Sequence, residues 1–417
     1  MKTFTGFEYL LIDAANNFSM GLDKRTFEDR IKWANHHLHE LEELTNVIPE
    51  WKEKPLYLKA VMAIRSAQRG EPTGHLVGFD AVCSGMQIMS VLTGCVDGAR
   101  ATGLVDPDRR ADAYTDVTTK MASILGNVVD IARKKVKQAV MTALYASKKE
   151  PEKEFGKDSP ELDGFWKALY AVAPGACELL EELVSSWQPY ALAHSWKLPD
   201  GFTAHVKVMQ SVEHRIEVDE LNHSTFEYTY LTNLGERRGV KNPANIIHSV
   251  DGYILRSLIR RCSYDSTRAI HVNNCIDDVL IERALDNAYL ANGPTEEVLY
   301  YKEQYERSGI ADIVILPYLD YGQCHALSTE HLKGLRDILC TMRDHKPFDI
   351  IAVHDEFKCH PNNMNHLRSH YRDILAELAD SDLLSDLLSQ VNGIEGTYEK
   401  LTPDLSKYIR QSNYSLS

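Results

Sequence analysis

His75-Leu76-Val77-Gly78-Phe79-Asp80, continuing into Ala81-Val82-Cys83-Ser84-Gly85-Met86-Gln87, is a short apolar run that stops at a carboxylate. Its length and character suit a buried strand with Asp80 at its end. Phe348-Asp349-Ile350-Ile351-Ala352-Val353-His354-Asp355 has the same design, a second apolar strand ending in Asp355, with a helix expected from about Asn362 to Leu378. Two distant strands that each deliver an aspartate suit one chemistry in particular. Phosphoryl transfer with two metal ions needs carboxylates from different elements to converge, so that the cations stabilise both the attacking and the leaving oxygen. Magnesium fits such a pair through its preference for hard oxygen ligands and substrate phosphates. Aspartate at a strand end is also common in ordinary turns, so the pair alone does not decide the matter.

The stretch around Arg133, Lys137 and Tyr145 adds a cationic counterpart. At about 100° per residue these three, with Met141, fall within an arc of roughly 120°, while Ala132, Val136, Ala139, Val140 and Ala143 take the opposite side. One face is built to pack and the other presents two cations and a phenol. Arg and Lys one turn apart can grip a triphosphate, the first as a fork and the second as a point charge or proton donor. The same pattern also fits a surface helix whose Tyr covers the core.

Around these segments the chain reads as mostly helical. Asp13 to about Leu44 reads as helix, with Thr26-Phe27-Glu28-Asp29 resembling a capping box. A helical region with interruptions is expected from Pro107 to about Trp187, a hairpin around the turn Leu198-Pro199-Asp200-Gly201-Phe202 leading into Thr203, His205 and Lys207, and a helix from Asn245 to Arg261. Residues 263–345 have mixed composition and give no clear period.

Composition limits the classes of function. The 417 residues are 44% apolar and 25% charged, enough for one large core or two to three smaller ones. No apolar run reaches the roughly 18 residues of a membrane span, so no membrane role is expected. The eight cysteines form no CxxC pair, which argues against a disulfide framework and fits a reducing, cytoplasmic setting. A net charge of -14 excludes tight nonspecific DNA binding by the surface as a whole, because phosphate affinity rests on Lys and Arg. Nucleic-acid contact would have to be local, at Arg133-Lys134-Lys135-Val136-Lys137, at Lys148-Lys149 with Lys153, or at Arg256, Arg260 and Arg261, each of which is otherwise a solvated helix face. Adjacent pairs such as Cys324-His325 and Cys359-His360 lack the spacing of a zinc site, and His36, His37 and His39 read as an exposed helix face.

Phe79-Asp80-Ala81-Val82-Cys83-Ser84-Gly85-Met86-Gln87 resembles the first polymerase motif of single-subunit RNA polymerases of the phage and mitochondrial type. Arg133 and Lys137 with Val140-Met141-Thr142-Ala143-Leu144-Tyr145-Ala146-Ser147 resemble the second, and His354-Asp355-Glu356-Phe357 the third, although Glu356 departs from it and is closer to the related DNA polymerases. Asn245-Ile246-Ile247-His248-Ser249-Val250-Asp251-Gly252, Pro199-Asp200-Gly201-Phe202 and Gly21-Leu22-Asp23-Lys24 resemble further family segments, in the family's order.

The resemblance implies an α+β fold, a right-hand palm of antiparallel sheet with helices plus mostly helical fingers. Residues 1–108 would be the first part of the palm, 109–247 the fingers, and 248–417 the second part of the palm, with an insertion at about 275–345. It implies that Asp80 and Asp355 hold two Mg2+ ions, that Lys137 and Arg133 serve the triphosphate, and that Tyr114 lies near the nucleotide. Tyr145 would sense the sugar 2′-hydroxyl and His248 the minor-groove side of the new base pair, while Gly85 stands where the DNA polymerases carry a blocking Glu. Family members are roughly twice this length, so the expectation is the large subunit of a split phage enzyme in the host cytoplasm. A smaller chain would complete palm and thumb, with a DNA template, an RNA product and a single-strand-binding or promoter-melting protein as further partners. The alternatives are a fragment like the family's DNA polymerases and a noncatalytic subunit of polymerase descent.

Overall fold

The computed structural model describes residues 1–18, 20–47, 51–126, 131–232, 239, 241–285 and 293–417. Its strands are β1 (Val77–Asp80), β2 (Ala193–Lys197), β3 (Thr203–Lys207), β4 (Gln210–Val218), β5 (Ser224–Thr232), β6 (Ile351–Val353) and β7 (Glu356–Cys359). They form an antiparallel three-stranded sheet in the order β1-β7-β6 and two separate hairpins, β2-β3 and β4-β5, among many helices. The result is an α+β protein.

The first apolar run is the buried strand β1, but the second, expected to be buried as well, supplies β6 at the edge of the sheet with Ile351 and Val353 half exposed, and the buried middle strand is β7, which follows Asp355. Side chains alternate across a sheet, and Val77 and Phe79 of β1 and Phe357 and Cys359 of β7 are buried on one face. Phe79 stands opposite Phe357, and behind them lie Tyr9 of the helix Gly6–Asn17 and Tyr371 of the helix Met364–Asp380, with ring centroids 5.9 and 5.4 Å away. The other face presents Asp80, Glu356 and Lys358 to an open cleft. At Gly78 a Cβ would meet the Glu356 carboxylate, which would have to move aside.

The expected single helix from Asp13 to Leu44 is two. The first spans Gly6–Asn17 behind a capping box of Thr5 and Glu8, and the second spans Phe27–His36 with Thr26 as its cap. Met20 and Gly21, at φ 79° and 73°, turn the chain between them and rule out a continuous helix. From Pro107 onward the reading of interrupted helices fits, with helices Ala113–Ile124, Arg133–Ala143, Lys149–Phe155, Pro160–Val172 and Pro174–Ser185. Residues 127–130 of that stretch lie outside those described. The helix expected over Asn245–Arg261 runs Lys241–Cys262 and buries Ile246, Ile247, Val250, Tyr253, Ile254 and Leu258 along one side.

The stretch without a readable period has a core of its own. Val272, Ile276 and Val279 from the helix Ser266–Ala284 meet Leu332, Leu335 and Leu339 from the helix Thr329–Met342, separate from the main core. Arg260 joins this unit to the rest. Arg256 pairs with Asp200 at 2.6 Å, and Arg260 bridges Asp200 at 3.3 Å and Asp312 at 2.8 Å, both carboxylates being almost fully buried. Arg261 binds Glu377 from the same helix. The third basic cluster is therefore an internal ion-pair network, neither a solvated face nor a nucleic-acid patch.

Candidate active site

Asp80 and Asp355 are brought together by backbone pairing. Asp80 ends β1 opposite Glu356, and the amide of Ala81 donates to the carbonyl of Asp355 at 3.1 Å. His354 and Asp355 form the two-residue loop between β6 and β7, with His354 at φ 57°. A left-handed residue is what a tight hairpin loop needs, and holding a non-glycine there stores strain next to Asp355. Cys83, at φ 54°, makes the matching turn from β1 into the helix Ser84–Thr93.

Burial, and then the charges of Glu356 and Asp355, push the Asp80 carboxyl up to about 6. Its side chain is nonetheless open to the cleft, so dense surrounding protein and like charge, rather than enclosure, account for the shift. Asp251 of the helix Lys241–Cys262 is pushed up to about 6 by burial and by Asp355. Asp80, Asp355 and Glu356 thus crowd one end of a cleft of about 350 Å³, with Asp251 close enough for Asp355 to act on it. A group of oxygen donors that resist ionising together is what a hard cation relieves.

The opposite wall is cationic. Arg133 and Lys137, on the helix Arg133–Ala143, both line the cleft and lie over the Tyr114 ring, at 5.4 and 5.5 Å from its centroid. Arg133 is tied to Asp112 through bonds of 2.6 to 2.9 Å. Burial opposes ionisation of Asp112, but the hydrogen bonds and charge of Arg133, with Thr115 and Lys24 in support, together outweigh it and hold the carboxyl below the usual range. Lys137 is exposed. Burial, followed by the neighbouring Cys83, raises the Tyr114 phenol.

Tyr145 lies beyond the helix on which its spacing placed it. That helix ends at Ala143, and a turn closed by Tyr145 N–H to the carbonyl of Thr142, 3.1 Å, carries the ring inward. A Cβ at Gly85 would stand 3.1 Å from the Tyr145 hydroxyl, and the His248 ring lies 4.7 Å from the Tyr145 ring. Burial, then Asp251, pushes the phenol up to about 12, so its proton is retained at neutral pH. Gly85, Tyr145 and His248 therefore form one cluster, next to the cleft that holds Asp80, Asp355, Arg133, Lys137 and Tyr114.

Several residues of the site escaped sequence reasoning. Asp112 caps the helix Ala113–Ile124 and orients Arg133, and an Asp three residues before Thr115 was the available signal. Lys24 lines the cleft and offsets the charge of Asp80. Gln87 is an internal anchor, donating to the carbonyls of Thr102 and Ser415 and accepting from Tyr371 at 2.8 Å. Elsewhere, Glu217, Asp219 and His223 gather on the exposed end of the β4-β5 hairpin, far in sequence from both aspartates, and exposed acids of this kind are common without an ion.

Carboxylates at a strand end and a hairpin tip face an Arg-Lys helix across an open cleft, a pairing of charges chemically suited to phosphate esters. Comparison with known proteins gives that chemistry a narrower frame. Residues 3–155 match the family model described as DNA-dependent RNA polymerase. The mitochondrial DNA-directed RNA polymerase 1 of Arabidopsis thaliana is 28% identical, over 34% of this chain and 18% of its own length. DNA-directed RNA polymerase 2, chloroplastic/mitochondrial, of Nicotiana sylvestris is 28% identical over 34% of this chain and 17% of its length. DNA-directed RNA polymerase 2B, chloroplastic/mitochondrial, of Nicotiana tabacum is 24% identical over 60% of this chain and 29% of its length. The chain thus spans less than a third of these relatives. It is similar to parts of DNA-directed RNA polymerases, most clearly over residues 3–155.

Proposed function

We propose that this chain is the catalytic part of a DNA-directed RNA polymerase that joins ribonucleotides on a DNA template. The observation that carries the reading is the meeting of Asp80 and Asp355 across one β-pair, with Lys137 and Arg133 on the facing helix. In this reading Asp80 and Asp355 hold two Mg2+ ions. The fit rests on the donor set, hard carboxylate oxygens, of which Asp80 is raised first by burial and then by the repulsion of Glu356 and Asp355. Bound magnesium would supply charge stabilisation for the oxygens of the transferred phosphoryl group.

Lys137, exposed toward the cleft, neutralises or protonates the departing phosphates, while Arg133 must exchange part of its bond to Asp112 for the triphosphate. Tyr114 keeps both cations over its ring. The choice of ribose falls to Gly85, which leaves room, and to Tyr145, whose retained proton can bond a 2′-hydroxyl. His248, packed on Tyr145, would take the base-pair side. Palm segments at 1–108 and 248–417 around fingers at 109–247, a phage source, a template, an RNA product and the smaller completing chain implied by the resemblance belong to the same proposal.

The test is extension of a primer on a DNA template by the purified chain, alone and with a polymerase-like chain encoded beside it, in Mg2+ with ribo- or deoxyribonucleotides. Ribonucleotide incorporation is expected. Preferential incorporation of deoxynucleotides would favour the related DNA polymerases, and no incorporation by any combination would contradict the proposal.

A further inference from the structure

Of the cations that line the cleft, Lys24 lies 2.8 Å from Asp23, Arg133 is tied to Asp112, and Lys137 stands over the Tyr114 ring. The remaining one is Arg110, just ahead of the Asp112 that caps the helix Ala113–Ile124. Its guanidinium donates to the backbone carbonyl of Ala111, and its buried Nε has no partner. Among the described residues no carboxylate comes within ion-pair distance of it. Its neighbour Arg109 is the contrast, exposed and bound to Asp116 at 2.6 Å.

A guanidinium keeps its charge inside a protein, and a charge drawn out of water with no opposite charge in contact is costly. Burial, the largest influence, lowers the Arg110 pKa, while the charges of Asp112, then Asp23 and Asp80, act against it from a distance. Two of those three carboxylates already serve Arg133 and Lys24. Near Arg110 lies the buried Arg30, which donates only to the carbonyls of Arg25 and Asp23 and to the Asn16 side chain, and on which the charge of Arg110 acts. This side of the cleft therefore carries positive charge that the protein leaves unmatched. Arg110 is half-buried and lines the opening, so a ligand can reach it. Such a ligand must be anionic, and a guanidinium fork suits the paired oxygens of a phosphate.

We propose that Arg110 is a further substrate-binding residue, which grips the terminal phosphates of the incoming ribonucleoside triphosphate. The identity of that substrate rests on the polymerase function proposed above. Arg133 has to give up part of its bond to Asp112 before it can hold a phosphate, whereas Arg110 has no ion pair to break. It is thus the guanidinium of the cleft that can meet the triphosphate first, with Lys137 on the facing helix. Nothing in the run Asp108-Arg109-Arg110-Ala111 marks one arginine from the other, and only the fold gives Arg109 a carboxylate and withholds one from Arg110.

The experiment titrates the purified full chain, in Mg2+, with a ribonucleoside triphosphate whose α–β bridging oxygen is replaced by methylene, and with the matching monophosphate. Calorimetry gives the affinities and thermal unfolding the stability, for the wild type, Arg110→Met, Arg110→Lys and Arg109→Met. Arg110→Met should weaken the triphosphate analogue by about tenfold or more, the usual worth of hydrogen bonds from a charged group, and leave the monophosphate almost unchanged. Arg110→Lys should recover part of the loss, and Arg109→Met should bind as the wild type does. Without ligand, Arg110→Met should unfold at the same temperature as the wild type or higher, because an unmatched charge has gone. In primer extension its KM for ribonucleotides should rise more than its kcat falls. Unchanged affinity for the analogue, an equal loss for the monophosphate, an equal loss in Arg109→Met, or a lower Tm of ligand-free Arg110→Met would each overturn the proposal, the last by making the guanidinium structural. A KM that stays put while primer–template affinity drops would overturn it too, by placing Arg110 on a nucleic-acid backbone. Arg110-dependent binding of the analogue by a wild type that extends no primer would instead uphold the phosphate site and sink the polymerase reading.

Discussion

In the proposed function the hydroxyl of Tyr145 and the missing side chain of Gly85 act as two halves of one filter, and a Cβ at Gly85 would stand against that hydroxyl. Tyr145→Phe keeps the ring and removes only the probe, so deoxynucleotides should enter while ribonucleotide addition falls modestly. Unchanged selectivity in a competition assay would show that the hydroxyl does not sense the sugar. Lys137→Ala should cost ~10²- to 10³-fold in turnover, the usual effect of removing one charge aimed at a transition state. A loss confined to template affinity would instead make the basic helix a DNA-contact face. Asp80 yields a prediction about stability. Its carboxyl titrates near 6 in the fold against 3.8 in a free chain. The folded state therefore holds the proton more tightly, and the stabilisation present below the unfolded value is lost as pH rises through about 6. Asp80→Asn should melt higher than the wild type at about pH 8, with the difference shrinking toward about pH 5. An equal or lower Tm at the higher pH would refute the crowding of charge at this site.

At the scale of elements, the parts that followed a simple period were legible and the parts that depended on distant partners were not. The first apolar run could be read as a buried strand because Val77 and Phe79 obey alternation, whereas Ile351 and Val353 of the second run lie exposed on an edge strand, which only the pairing with β7 reveals. The helix faces of Val136, Ala139 and Val140 followed from a 3.6-residue period. Tyr145 was misplaced on that helix, because nothing local announces that it ends at Ala143. Asp112, Lys24 and Asp251 acquire meaning only from Arg133, Asp80 and Asp355, which folding brings to them. The Arg256-Arg260-Arg261 run carries the same lesson. In sequence it is a basic patch, and in the fold each guanidinium has a carboxylate. Asp312→Ala would leave Arg260 half-buried with one partner fewer, and removal of one member of a buried pair costs about 3–5 kcal/mol. Denaturant unfolding should register a loss of that order, and an effect below about 1 kcal/mol would mean that the network is effectively solvated.

For the molecule as a whole, the net charge of -14 sits uneasily with melting a duplex, which draws its energy from contacts to phosphates and base edges. Arg256, Arg260 and Arg261 are spent on internal pairs, and the cleft itself is lined by only four cations, Lys24, Arg110, Arg133 and Lys137. Single-stranded and premelted templates should therefore be transcribed readily and intact duplex poorly unless a basic partner or a melting protein is added. Equal run-off synthesis on all three without added factors would contradict this. The account as a whole turns on one pair of side chains. Asp355→Asn removes a charge and almost no volume, so the fold should persist, as circular dichroism and partner association can verify. Magnesium-dependent extension of a primer with ribonucleotides, measured for the wild type and Asp355→Asn side by side, is then the decisive comparison: the account predicts product from the first and none above background from the second, and extension at equal rates would show that the carboxylates at the end of β1 and the tip of the β6-β7 hairpin are not where the chemistry happens.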